Sequence, residues 1–78
     1  MYIVIELQRT GDQLANIVTA YADLNEAKSK FHQILATAAI STVPVHAAAI
    51  VSEEGKVIKN ECYRHTDEET TVSDANPA

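Results

Sequence analysis

The two residues of this sequence whose types and placement best suit chemistry are His46 and Cys62. They fall on two predicted strands that form a hairpin, and the predicted register sets them directly opposite each other. An imidazole beside a thiol can deprotonate it or orient the thiolate, and the two groups can also share a metal ion. A structural metal site needs about four ligands, and the sequence near this pair offers no further cysteine, histidine or clear carboxylate partner. We therefore expect a packed cross-strand pair, with no catalytic residue, no metal site and no cofactor.

The other polar residues lack the spacing that other chemistries need. Gly11 and Gly55 are the only glycines, whereas a phosphate-binding loop needs several glycines close together before a helix. The serines and threonines show no nucleophile-elbow pattern. Glu53 and Glu54 fall at a predicted hairpin tip, and an exposed tip does not suit paired catalytic carboxylates. We expect a protein that is not an enzyme, and a cysteine-dependent enzyme is the catalytic alternative.

Length and composition indicate one small packed domain. The chain has 78 residues, of which 46% are hydrophobic and 22% are charged, so the disordered class is excluded for the chain as a whole. Its longest apolar stretch, over residues 43–51, is far shorter than the roughly 20 residues of a membrane-spanning helix. The first residues lack a basic leader, and the single cysteine cannot close an intramolecular disulfide. We therefore expect a cytoplasmic protein.

The net charge of −5 is distributed unevenly along the chain. Residues 1–65 contain seven acidic and six basic residues, whereas residues 66–78 contain four acidic and no basic residue. The first part therefore lacks the basic surface that nucleic-acid binding requires. The last part has too few large apolar residues to offset the entropy of ordering. We predict a single α+β domain over residues 1–65, with His65 exposed at its end, and an acidic disordered tail over residues 66–78.

Two strands are predicted before the helix. β-Branched and aromatic residues dominate residues 2–8, whose odd positions are strongly apolar and whose even positions are mixed. Residues 9–12 have turn composition, with Gly11 free to adopt a positive φ. Residues 14–21 fit either a helix or a strand by periodicity. We predict a strand there because three β-branched residues follow one another at residues 17–19.

One amphipathic helix is predicted in the middle of the chain. Asp23 and Glu26 have the spacing of a capping box, and the helix should end near residues 39–41 because Pro44 excludes its predecessor from helical geometry. His32 lies at the margin of the apolar stripe and is expected to face solvent. The predicted buried stripe consists of Leu24, Ala27, Phe31, Ile34, Leu35 and Ala38.

Residues 45–63 predict a second β-hairpin. A three-residue loop ending in Gly55 suits a turn in which that glycine takes the left-handed conformation. A regular ladder would then pair Ser52 with Lys56 and continue to the far end of both strands. This is the register that sets the histidine opposite the cysteine.

These elements predict an α+β fold, a two-layer ββαββ arrangement with a four-stranded antiparallel sheet in the order 2-1-3-4 and one helix on one face. The helix covers one face only, but apolar residues point to both. We expect the second face to be buried against a copy of the chain, most simply with two-fold symmetry. The alternative is a monomer with ordinary scattered apolar surface residues. The candidate interface or pocket residues are Tyr2, Val4, Val45, His46, Val51, Val57, Cys62 and Tyr63.

The sequence predicts a small non-catalytic protein-interaction module, homo-oligomeric, of the accessory or inhibitor type that viruses and mobile elements encode. Its expected partners are a second copy and another protein, with no nucleic acid and no membrane. The alternative is a small-ligand-binding protein whose site lies at a subunit interface and is lined by Tyr2, His46 and Tyr63.

Overall fold

The computed structural model describes residues 1–65 and has the predicted α+β fold. All neighbouring strands are antiparallel, and the sheet order is β2-β1-β3-β4, as predicted. The predicted disordered tail lies outside the described residues. The elements are β1 (Tyr2–Thr10), β2 (Gln13–Tyr21), α1 (Leu24–Ala39), β3 (Val45–Ser52) and β4 (Val57–Arg64).

The first hairpin joins β1 and β2 through a two-residue turn. Thr10 pairs with Gln13, and the ladder continues to the pair of Tyr2 and Tyr21. Gly11 has a φ of 62° at the first central position of the turn, which is the pattern of a type II′ turn. The prediction of a strand over residues 14–21 is confirmed.

Helix α1 begins and ends where the sequence predicts. Asp23 is the N-cap residue and has an extended backbone, but its side chain makes no capping hydrogen bond, so this part of the capping-box prediction is wrong. Its carbonyl oxygen accepts the first helical bond from the Ala27 amide at 3.1 Å. At the other end the Ile40 amide bonds to carbonyls of the last turn, and Pro44 follows within one turn.

The core lies between α1 and one face of the sheet. The predicted stripe supplies the helical side of this core, with Leu24 and Leu35 partly buried at its edges and the other four residues buried. On β1 the even-numbered face is covered, because Val4 is buried while Ile3 and Ile5 are only half-buried. The buried core residues are Val4, Ala27, Phe31, Ile34, Ala48 and Ile50.

The second hairpin has the predicted loop but not the predicted ladder. Ser52 donates to the Lys56 carbonyl at 2.8 Å, and Gly55 has a φ of 88°, which confirms the three-residue loop. A β-bulge then shifts the register of β4 by one residue after the first strand pair. Cys62 pairs with Ala47 instead of His46, so the predicted cross-strand pair of histidine and cysteine is wrong.

The bulge has a physical reason in the spacing of two apolar residues. Ile58 and Tyr63 are an odd number of positions apart and would point to opposite faces of a regular strand. One extra residue brings both to the side of the helix. Ile58 then packs against the core, and Tyr63 lies opposite the buried His46.

Candidate functional site

The most distinctive surface of the described residues is the sheet face opposite α1, which we call the open face. Its members follow from the register of the three strand pairs, since residues directly opposite each other point to the same side. Only four of its positions are polar, and these are Arg9, Asn16, Asn60 and Arg64. The others are Ile3, Ile5, Leu7, Leu14, Val18, Ala20, Val45, Ala47, Ala49, Val51, Val57 and Cys62.

No part of residues 1–65 covers the open face, either at its edges or at its centre. Leu14, Val18 and Val57 expose 61%, 58% and 56% of their surface. The strands β1 and β3 run through the middle, where neighbouring side chains leave the apolar residues half-buried. Four strands about 4.8 Å apart, with eight residues at about 3.4 Å each, give a face on the order of 500 Å². Patches of this size on a monomer are often functional.

Charge is confined to the two ends of the open face. Arg9 and Arg64 lie in one row across the sheet, because each is paired with Val45. Beyond the opposite end lies the tip of the second hairpin, where Glu53 is paired with the N-terminal ammonium group of Met1 and where Glu54 and Lys56 flank Gly55. The face is therefore apolar along its length, with two arginines at one end and charges of both signs beyond the other.

The predicted interface residues divide between the two faces of the sheet. Val45, Val51, Val57 and Cys62 belong to the open face. Tyr2, Val4, His46 and Tyr63 lie on the side of the helix. Two of these, Val4 and His46, are only 2% exposed, so a surface formed by all eight residues is ruled out. The reason is that α1 covers the even positions of β1, and the bulge moves Tyr63 to the same side.

Beneath the helix, His46 pairs with a residue that the sequence analysis did not select. Its Nε2 lies 2.6 Å from Oε2 of Glu6, and the same oxygen accepts a hydrogen bond from Gln8 at 2.9 Å. The two partners sit on adjacent central strands, with 3% of the histidine side chain and 14% of the glutamate side chain exposed. An acidic residue inside the most apolar strand was the available signal, because a carboxylate there requires a partner.

The hydrogen bonds to Glu6 favour its charged form. Burial by itself would raise the pKa of Glu6, but the hydrogen bonds from His46 and Gln8 and the nearby charges of His46 and Lys30 lower it below its ordinary value. Within the described residues, Nδ1 of His46 is buried without a hydrogen-bond partner. His46 is buried, whereas Glu6 borders a shallow surface cleft beside Lys30 and Gln33, and the hydrogen bond between them links β1 to β3.

The other residues considered for chemistry are dispersed. Cys62 is exposed, and its Sγ contacts the carbonyl oxygen of Tyr63 at 3.8 Å. His65 stacks on Tyr63, and its Nε2 lies 2.8 Å from the carbonyl oxygen of Ala38 near the end of α1. His32 is exposed, as predicted. Residues 1–65 contain no group of three or more His, Cys, Asp or Glu side chains arranged to hold a metal ion.

The only helix described, α1, falls short of the length and apolarity that crossing a membrane requires. Comparison with protein-family models, with curated proteins and with solved structures finds no match for this chain.

Proposed function

We propose that this chain is a non-catalytic protein-interaction module that binds a second copy of itself through the open face. The observation that supports the proposal is the uncovered apolar face itself. A sheet with a solvated outer face alternates apolar and polar residues along each strand. Here the outward positions of β3 are all apolar, because Val45, Ala47, Ala49 and Val51 point to the open face.

The size of the open face suits a small homodimer. Two copies packed face to face would bury on the order of 1,000 Å², about the lower limit for a specific interface. The mixture of small and large side chains favours close packing, because the alanines of β3 leave room for the larger residues of a facing sheet. No charged side chain lies in the interior of the face, so no buried charge would lack a partner.

The distribution of charge favours one of the possible two-fold arrangements. A two-fold axis that lies between the sheets and runs across the strands exchanges the two ends of the face. The end with Arg9 and Arg64 of one copy then lies over the opposite end of the other, so that Arg64 on β4 faces the loop that carries Glu54. An axis along the strands would place the arginines of both copies together, which costs energy through like-charge repulsion.

The proposal is tested by placing a charged side chain at the centre of the open face. In the Ala49→Lys variant the interface would have to bury an unpaired ammonium group, so we expect association through the open face to be lost and the mass of the assembly at micromolar concentration to fall. Analytical ultracentrifugation measures the mass of the assembly. Ala36→Lys is the matched control, because it makes the same change at an exposed position of α1 and should leave the mass unchanged.

A second variant separates the interface from the stability of the fold. Ala47→Lys changes the neighbouring outward position of β3 and should give the same loss of mass. Circular dichroism checks that both variants stay folded. A wild-type protein with the mass of one chain at high concentration, or folded variants with unchanged mass, would contradict the proposal.

The alternative function, binding of a small ligand, has less support. Ligand pockets usually have volumes of about 300–1,000 Å³ and mainly apolar linings. Two surface clefts of the described residues have volumes of about 260 Å³ and 250 Å³ and are bordered by charged side chains such as Lys30 and Glu61. An accessory or inhibitor role for the dimer agrees with its small size and would be tested by capture of a host protein on the wild-type chain and not on Ala49→Lys.

A further inference from the structure

The two edges of the sheet differ in how well they are protected against pairing with another strand. Natural edge strands carry lysines, prolines or bulges that prevent such pairing. The edge formed by β4 carries Lys59, Glu61 and Arg64 and contains the bulge. The edge formed by β2, Gln13–Tyr21, has no charged residue, no proline, no glycine and no bulge over its whole length.

The hydrogen-bonding groups that β2 leaves free can be assigned from the hairpin. The two residues flanking a two-residue turn bond to each other, and the bonding direction alternates along the strand. Starting from the pair of Thr10 and Gln13, the odd-numbered residues of β2 bond to β1. The even-numbered residues therefore direct their amide and carbonyl groups away from the sheet. These residues are Leu14, Asn16, Val18 and Ala20.

We infer that β2 pairs antiparallel with β2 of a second copy, so that two sheets become one continuous eight-stranded sheet. The pairing that uses every outward residue sets Leu14 opposite Ala20 and Asn16 opposite Val18, with Ile17 opposite its own copy at the two-fold axis. No charged residues meet in this arrangement. Ile17 is 52% exposed in the single chain and would be covered by its counterpart.

The position of Ile17 also determines how this pairing combines with the open face. The rows of the open face begin on β2 at Leu14, Asn16, Val18 and Ala20, so the middle of the face lies at the level of Ile17. The axis through Ile17 is perpendicular to the sheet, whereas the proposed axis of the open-face dimer lies across the strands at the same level. Two such axes intersect at right angles and close the assembly at four chains. The tetramer rests on the proposed function, whereas the β2 pairing does not.

Amide hydrogen exchange by NMR tests the β2 pairing directly. In an unpaired edge strand, the outward amides of Leu14, Asn16, Val18 and Ala20 exchange rapidly. We expect them to exchange at least about tenfold more slowly at high than at low protein concentration, because the ladder forms only in the assembly. In the Ile17→Lys variant two like charges meet at the axis, and the protection of these four amides should be lost. Ile40→Lys is the matched control, since Ile40 is 85% exposed and lies at the end of α1.

The mass of the assembly distinguishes failure of the β2 pairing from failure of the open-face dimer. We expect four chains for the wild type and two chains for both Ile17→Lys and Ala49→Lys, with the β2 amides protected only in the latter. Unprotected β2 amides in a wild-type dimer would overturn the β2 pairing and leave the open-face proposal intact. Protected β2 amides in a wild-type dimer that Ala49→Lys does not alter would overturn the open-face proposal alone. Protection that persists in Ile17→Lys, or that requires an added foreign protein, would overturn the pairing with a second copy.

Discussion

At the scale of single residues, the pair of Glu6 and His46 is the feature with the largest energetic consequence. Both side chains sit between the sheet and α1, where an unpaired polar group is costly. The glutamate oxygen accepts hydrogen bonds from His46 and Gln8, so one carboxylate satisfies donors from two central strands. The pair therefore contributes to the register between β1 and β3 as well as to stability.

Removal of this carboxylate should destabilise the fold. We expect Glu6→Ala to lower the free energy of unfolding by about 1–3 kcal/mol. The reason is that the buried His46 side chain loses its only hydrogen-bond partner within residues 1–65. Glu6→Gln keeps an acceptor oxygen and should cost less. Glu61→Ala is the control, because Glu61 lies in the same row of the sheet but is exposed. Urea unfolding measures all three, and equal effects of Glu6→Ala and Glu61→Ala would contradict the interpretation.

The same pair predicts the direction of the pH dependence. Since the pKa of Glu6 in the folded chain is below its ordinary value of 4.5, the folded state favours the carboxylate. Its contribution is complete above that ordinary value and is lost as the pH falls through the folded pKa. Stability of the wild type should therefore decrease more steeply below about pH 5 than that of Glu6→Gln. Parallel acid profiles would assign the hydrogen bond to a neutral carboxyl group instead.

At the scale of elements, the sequence predicts what local patterns determine and misses what distant packing determines. The strands, the helix and both turns follow from periodicity, β-branching and the glycines at positions 11 and 55. The bulge could not be predicted, because it depends on whether Ile58 and Tyr63 both find space under a helix that lies earlier in the chain. That single residue reverses the face of everything after it in β4, including Cys62. The missed partnership of His46 with Glu6 has the same origin, since it joins residues 40 positions apart.

The turn at Gly55 depends on a backbone conformation that favours glycine. Its φ of 88° lies in the left-handed region, and a Cβ atom built on it would meet no atom within 4 Å. Gly55→Ala should therefore cost about 1–2 kcal/mol through backbone strain alone, without a steric clash. Gly55→Asn should cost less, because asparagine tolerates this conformation better. Thermal unfolding of the two variants checks the order, and an alanine variant as stable as the wild type would show that the loop adopts another geometry.

At the scale of the whole molecule, the chain combines a closed core with two unsatisfied surfaces. The helix side is packed around Phe31 and Ile50, and its polar residues have partners or face solvent. Within residues 1–65, the interior of the open face and the edge of β2 have neither cover nor charge. Small domains bury a limited fraction of their surface and are marginal as single chains. Association through these two surfaces would supply the apolar burial that the single chain lacks.

A charge swap tests the orientation of the proposed open-face dimer. In that arrangement Arg64 of one copy lies near Glu54 of the other, so Arg64→Glu and Glu54→Lys should each weaken association, by about 0.2–1 kcal/mol for each exposed contact. The double variant restores opposite charges and should recover most of the lost affinity, because the two-fold axis forms the swapped contact twice. Sedimentation equilibrium at low salt measures the dissociation constants, and added salt should reduce the differences. Additive losses in the double variant would exclude this orientation and favour an axis along the strands, in which the arginine ends meet each other.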